Sequence, residues 1–220
     1  MRVLAVDTTT ARGGAALVSD EGVLAEARVR TTDGHSRWLL GAVEALLCGV
    51  GIAAQELDAF AVSIGPGSFT GLRVGLSSVQ GLALASGRPC VGLSALELLA
   101  RSALGAGEAL VAVMDAFRGE CYVGLHDARG QAVGVPRVGV VEQIAGELPA
   151  GAVFVGEAAV ERRTSLERLV PGACFAEAPP FLAALLGRAA LERVRQGLAV
   201  AASELRPLYL RGAGIRSSRA

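Results

Sequence analysis

The stretch SIGPGSFTGLRVG, residues 63–75, sets glycines and hydroxyls at the mouth of a helix, the arrangement with which proteins hold phosphate groups. Pro66 stiffens the turn, and Gly67 permits positive φ or a close backbone approach. Ser68 or Thr70 is placed to cap the helix by accepting an N–H bond. Gly71 and Gly75 leave a bare helix face on which another backbone can lie, and Arg73 is the one charge nearby. This is not a Walker loop, because G-x-x-x-x-G-K-[ST] needs a lysine; all 21 cationic residues of the chain are arginine. Two roles stay open for Gly65, Gly67, Ser68 and Thr70: a remnant phosphate loop, or a tight strand–helix junction packed on the core. Asp7-Thr8-Thr9-Thr10 poses the same choice. Amides and hydroxyls of such a turn hold anions, and its Asp holds a metal through water; the alternative is a turn whose side chains bond their own backbone.

Other chemistries find less support. The absence of lysine excludes a Schiff base and a lysine general base. His35 is followed four residues later by Leu39, so no H-x-x-x-H metal pair exists, and a capping or surface role is expected for His35. Cys48, Cys90, Cys121 and Cys174 form no C-x-x-C pair and read as reduced, mostly buried thiols. No G-x-S-x-G elbow occurs. Asp115 is a candidate mirror of Asp7, but nothing nearby supplies a base or a nucleophile. Formal net charge is zero, so no global field draws nucleic acid or membrane. The N-terminal residues before Asp7 are too few for a signal peptide, and the longest charge-free runs, 59–72 and 74–87, fall short of the roughly 18 residues that span a bilayer. A cytoplasmic location is expected.

These loops need elements to hold them. Residues 3–6, 13–19 and 23–30 read as three strands joined by tight turns. Residues 36–48 carry Trp38, Leu39, Val43, Leu46 and Leu47 at helical spacing. A strand at 59–64 leads into a helix at 70–86 with Gly87 as its C-terminal cap. A further strand covers 90–93, and Ser94-Ala-Leu-Glu97 reads as a capping box. The pattern then restarts: Val3 meets Val111, and the same offset of 108 residues brings Asp7 onto Asp115 and Leu17 onto Leu125. A duplicated β-β-β-α unit is expected, with residues 1–104 as one half and 105–220 as the other. The second half carries a strand at 152–155, a charged helix at 157–169 and a helix at 180–196 with Leu182, Leu185, Leu186, Ala189, Leu191 and Val194 inward. Pro207 keeps the tail extended and able to return to the first half; residues 214–220 are expected to fray.

GPGSFTGLRVG, the upstream LAVDTTT, HSRWLL after the third strand and LYLR near the end together resemble the TsaB (YeaZ) family of bacteria. The resemblance implies the α/β fold of actin, Hsp70 and the sugar kinases (ASKHA), two stacked RNase H-like halves with mixed sheets. It also implies a part in making threonylcarbamoyladenosine in tRNAs that read ANN codons. There the family serves as a non-catalytic scaffold of the transferase TsaD, a paralogue with an H-x-x-x-H metal pair that moves threonylcarbamoyl from its adenylate onto adenosine. A TsaE-like ATPase joins the complex, tRNA is met through the complex, and the chain alone forms a homodimer. No cofactor is required, with weak nucleotide binding left open at the loops of Asp7, Thr8, Thr9, Gly65, Gly67, Ser68 and Thr70. The alternative is a small ATP-dependent phosphotransferase or ATPase of the same fold.

The helices at 36–48 and 70–86 carry more apolar residues than one core-facing stripe needs, so a second buried face is expected there. In the family this pair packs against the matching pair of TsaD or of another TsaB. The expected partner surface comprises Trp38, Leu39, Val43, Arg73, Leu76, Val79 and Gln80.

Overall fold

Val3-Leu4-Ala5-Val6 offers no polar side chain to solvent, and the strand it forms, β1 (Arg2–Asp7), is buried on both faces. The computed structural model describes residues 1–210, which leaves the expected fraying at 214–220 outside the described residues. β1 pairs antiparallel with β2 (Arg12–Ser19), which pairs with β3 (Gly22–Arg30). A 3-10 turn, His35–Arg37, leads into α1 (Leu39–Val50). β4 (Ala59–Gly65) returns parallel to β1, α2 (Phe69–Ser86) follows, and β5 (Cys90–Ser94) closes a mixed sheet of order β3-β2-β1-β4-β5. Gly87 ends α2 in the left-handed region at φ 66°.

After α3 (Ala95–Ser102) the plan repeats with β6 (Ala109–Asp115), β7 (Cys121–Asp127), β8 (Arg137–Gly139), α4 (Val141–Ala145), β9 (Val153–Val155), α5 (Glu157–Glu161), α6 (Arg163–Leu169), β10 (Cys174–Ala176) and α7 (Ala183–Arg195). The second sheet has the order β10-β9-β6-β7-β8. Strand for strand this is the order of the first, so the molecule consists of two mixed-sheet α/β halves. Among the described residues no helix is long and apolar enough to cross a membrane.

Three apolar clusters define the layers. Val3 and Ala5 of the first sheet, and Leu110 and Ala112 of the second, point into a central layer occupied by α3 and α7. Leu4 and Val6 face α1 and α2 on one outside. Val111 and Val113 face α4, α5 and α6 on the other.

The duplication holds, but the offset of 108 fails in the first strand. Leu4 pairs with Leu17, and its counterpart Val111 pairs with Leu125. Both face outward, so β1 and β6 correspond at 107 residues and β2 and β7 at 108. The turn after β6 holds the extra residue. A slip of one flips every side chain of a strand, so Met114, not Asp115, stands where Asp7 stands.

Other expectations need correction. The charged helix at 157–169 is broken at Arg162, whose guanidinium bonds the Ala158 carbonyl and caps the first segment. The third strand of the second half arrives only at β8. Ser94 does cap α3, its hydroxyl accepting from the Leu96 amide at 3.2 Å. Glu97 does not close the box: it pairs with Arg101 and with Arg193 of α7, binding the two central helices together. The helix of the tail region starts only at Ala183, because Pro179 and Pro180 hold the preceding chain extended. Cys48 and Cys174 are exposed, contrary to expectation, while burial pushes the Cys90 thiol up to about 11.

Candidate functional site

The glycine-rich junction and the threonine turn are one structure. Asp7 closes β1 and is 2 % exposed. Its Oδ1 accepts from the Thr9 hydroxyl at 2.7 Å and from the Thr9 amide at 3.2 Å. Burial pushes the Asp7 carboxyl up, against the opposing pull of Thr9, of Ser63 and of His35. The Ser63 hydroxyl acts from outside hydrogen-bonding geometry. Thr8 donates its hydroxyl to the Gly71 carbonyl at 2.8 Å, and the Ser68 amide donates to the Thr9 carbonyl at 2.7 Å. Ser68 is the cap of α2, its hydroxyl accepting from the Gly71 amide at 3.3 Å; Thr70 is exposed.

Gly71 and Gly75 have the role their spacing suggested. A Cβ at Gly71 would enter the Thr8 carbonyl, and one at Gly75 the Thr8 hydroxyl. Gly67, at φ 159°, abuts the Thr9 carbonyl. The bare face of α2 is therefore taken by the turn 8–9, and a carbonyl of the protein itself stands at the helix entrance where a phosphate oxygen would bind.

His35 is not a surface residue. It is 6 % exposed, and its Nε2 lies 2.8 Å from the Thr10 carbonyl, so Nε2 donates. Its ring packs edge-on to Trp38 at 5.6 Å between centroids and against Gly13. Leu39 is 1 % exposed and belongs to the core. Among the described residues no group of three His, Cys, Asp or Glu side chains could hold a metal ion.

These loops border a cleft of about 900 Å³ between the halves. Asp7, Thr9, Thr10, Gly67, Ser68 and Thr70 line one side, and Asp115, Phe117, Glu157 and Glu177 the other. Arg12 of β2 crosses it to form a two-pronged ion pair with Glu157 of α5, at 2.8 and 2.9 Å. Asp115 is exposed on the far wall, apart from the Asp7 turn.

The outer side of α1 and α2 is the second candidate. Leu39, Val43, Leu46, Leu72, Leu76, Val79 and Ala83 form their buried stripes. Leu39, Val43, Leu76 and Val79 are thus unavailable to a partner: their three-to-four spacing turns them onto the sheet. Gln80 is also engaged, its amide donating to the carbonyls of Ala202 at 2.9 Å and Leu205 at 3.4 Å, which fastens the returning tail. Trp38 is half-buried beside His35. Of the expected surface only Arg73 is exposed. What faces solvent instead is Leu40, Phe69 and Leu84, 56, 43 and 70 % exposed, set among the small residues Gly41, Ala45, Ser77, Gly81 and Ala85. A groove of about 480 Å³ runs between the helices, lined by Leu40, Phe69, Arg73 and Ser77 among others. Helical phase picks out these residues once the structure shows which stripe is buried.

Comparison with known proteins places both features in a context. Residues 23–147 match the family model described as TsaD, tRNA N6-adenosine threonylcarbamoyltransferase. The chain is 33% identical over 144 residues to the tRNA threonylcarbamoyladenosine biosynthesis protein TsaB of Bacillus subtilis, covering 66% of this chain and 59% of that one. It spans little more than half the length of the curated relatives it matches. The solved structure of YeaZ from Pseudomonas aeruginosa superposes with a TM-score of 0.78 at 31% identity, covering 95% of this chain and 99% of that one. The activator of 2-hydroxyisocaproyl-CoA dehydratase from Clostridium difficile, with bound ADPNP, shares the fold at 11% identity and a TM-score of 0.54, over 95% of this chain and 100% of that one. The fold is that of actin, Hsp70 and the sugar kinases.

Proposed function

The chain belongs to the TsaB (YeaZ) family, and from that premise we propose that it serves threonylcarbamoyladenosine formation in tRNA as a non-catalytic scaffold of a TsaD-like transferase. The observation that carries this reading is the division of labour between the two candidate sites. At the cleft, the helix end suited to a phosphate is filled by the Thr9 carbonyl, and Asp7 spends its hydrogen bonds on its own turn. On the outside, two helices present exposed leucines among small residues, a surface that two packed helices would cover. The match to the TsaD family model spans both helices, so a TsaD-like partner has a matching pair with which to meet them. A TsaE-like ATPase completes the assembly, and tRNA is bound by the complex.

The test is reconstitution. With a TsaD-like transferase, tRNA and threonylcarbamoyl-adenylate, the chain should raise modification, and alone it should yield none. Leu84→Glu should abolish association with the transferase while far-UV circular dichroism stays unchanged, because an unpaired carboxylate buried in an interface costs several kcal/mol, roughly half of the ~8 kcal/mol that holds a micromolar complex. Full stimulation by the Leu84→Glu protein would remove the helix face from the reading. The second reading, a small phosphotransferase or ATPase, is favoured by the size of the cleft at Asp7; ATP hydrolysis by the purified chain that disappears in Asp7→Ala would establish it.

A further inference from the structure

The chain holds six phenylalanines. Phe60 and Phe154 are fully buried. Phe69, Phe175 and Phe181 each carry a guanidinium over the ring, that of Arg73 at 3.9 Å, Arg163 at 4.5 Å and Arg28 at 5.8 Å. Phe117 is the sixth. It is 62 % exposed, it lines the cleft between the halves, and among the described residues no cation lies over it.

Its backbone is strained. Phe117 stands at φ 64° and Arg118 at φ 59°, with Gly119 following at φ 81°. Left-handed backbone disfavours a bulky side chain, and turn positions of this kind suit asparagine or glycine. The turn itself is closed by backbone bonds that any residue would make: the Ala116 amide donates to the Glu120 carbonyl at 2.9 Å, and the Glu120 amide to the Phe117 carbonyl at 3.2 Å. A ring so exposed gains little burial to offset the strain. Strain that the fold does not use is kept where a site uses it.

The surroundings define what that use is. The cleft is lined by the carboxyl groups of Asp7, Asp115, Glu157, Glu161 and Glu177 against the guanidinium groups of Arg12 and Arg30. Asp7 is engaged with Thr9, Glu157 with Arg12 and Glu161 with Arg162. Asp115 and Glu177 are exposed, and among the described residues neither forms an ion pair. A wall of that sign repels a polyphosphate and draws a cation. A guanidinium is planar: it stacks on an aromatic face and forks to a carboxylate at the same time.

We propose that the second-half wall of the cleft binds an arginine side chain of a partner polypeptide, with the guanidinium stacked on Phe117 and paired with Asp115. Val160, 56 % exposed, and Pro179 line the same cleft and offer apolar surface to the arginine stem and its neighbours. The inference does not depend on the scaffold reading, which uses the outer helices.

The experiment is a titration of the ¹⁵N-labelled full chain with acetyl-Leu-Arg-Ser-amide, followed through backbone amide shifts. Saturable shifts should centre on residues 115–119 and on Glu177. The same peptide with citrulline, neutral and nearly isosteric, in place of arginine should bind at least tenfold more weakly. Phe117→Leu keeps an apolar side chain but loses the ring face, and should weaken binding about two- to fivefold, the worth of an exposed cation–π contact. Asp115→Asn should weaken it about threefold or more and flatten its salt dependence. Phe117→Gly should lose the same affinity while keeping or raising the urea midpoint, because glycine takes the left-handed conformation without strain; a lowered midpoint would assign Phe117 to the fold and overturn the proposal. Equal binding of the citrulline peptide, or shifts centred outside the cleft, would also overturn it. Sodium triphosphate that displaces the peptide from the same amides would return the cleft to a phosphate ligand. A wild-type chain that ignores the peptide overturns the partner; uptake by the Arg211→Gln/Arg216→Gln/Arg219→Gln variant would then assign the site to the chain's own arginines.

Discussion

Asp7 shows how a residue type that suggests chemistry can serve the fold. Its burial raises the carboxyl above the ordinary aspartate value, so between the unfolded and folded values the native state binds more protons than the unfolded chain. Stability therefore falls as pH rises through that window, which opens near the ordinary value and extends upward, and it stays lower beyond it. Asp7→Asn removes the titration and keeps an oxygen for Thr9. Its urea midpoint relative to wild type should improve on going from pH 4 to pH 7; a difference that stays flat would mean that the bonds from Thr9 balance desolvation, and one that worsens that they outweigh it. Asp7, Gly67 and Ser68 were legible in the sequence because their types fit few backbone settings. His35 was not: an imidazole after Asp33-Gly34 looks like a helix start open to water, and only the tertiary contact with Gly13 and Trp38 shows it buried. Asp115 was misplaced for a geometric reason, since one extra residue in a turn is invisible in a composition of Val, Ala and Gly yet reverses the face of a strand.

At the scale of elements, α2 is shaped by what it meets at its N-terminal end and by what it leaves bare along its length. Gly71→Ala should destabilise the fold by roughly 1–3 kcal/mol in chemical denaturation. The added methyl would enter the Thr8 carbonyl, and overpacking against fixed backbone costs about that much; the helix preference of alanine returns only about 1 kcal/mol. A neutral Gly71→Ala would show that the turn 8–9 yields easily. The existence of α1, α2, β4 and β5 followed from apolar spacing and from glycine and proline punctuation. Which side of each helix faced the sheet did not, because both carry apolar residues around most of their circumference. The small α4 and β10 were missed since five and three residues give no period to read. The exposed face also offers a probe without mutation. Cys48 follows Glu44 by one turn and Cys174 lies on β10 in the other half, both exposed. If the α1–α2 face is covered on association, thiol labelling of Cys48 should slow as protein concentration rises while Cys174 keeps its rate. Equal protection of both thiols, or of neither, would place the contact elsewhere.

At the scale of the whole molecule, the two halves exchange their inner helices. α7, from the second half, packs on β1, β2, β4 and β5 of the first sheet, while α3, from the first half, packs on β6 and β7 of the second. Glu97 and Arg101 of α3 bond Arg193 and Glu192 of α7 across the seam, and the tail adds a bridge between Val200 and Cys90 of β5. A chain cut after residue 104, where the sequence suggests a boundary, would thus keep its outer helices and α3, which also touches β4 and β5, but would lose α7, the inner cover of β1 and β2. Val3, Val18, Val91 and Leu93 now face α7 or the central layer. Exposing those four alone removes on the order of 6–12 kcal/mol at ~1.5–3 kcal/mol each, against the 5–15 kcal/mol that typically holds a domain together. The Arg12–Glu157 pair contributes little by comparison, since Glu157 is 66 % exposed and pairs of that kind bring about 0–1 kcal/mol. We therefore expect the intact chain to unfold in a single transition, with fluorescence of Trp38 in the first half and far-UV circular dichroism of both halves moving together. Fragment 1–104 made alone should lack the dispersed amide spectrum of a folded domain and should gain it when fragment 105–220 is added. Two separated transitions, or a fragment 1–104 that folds unaided, would mean that the exchanged helices are dispensable and that the halves are independent domains placed side by side.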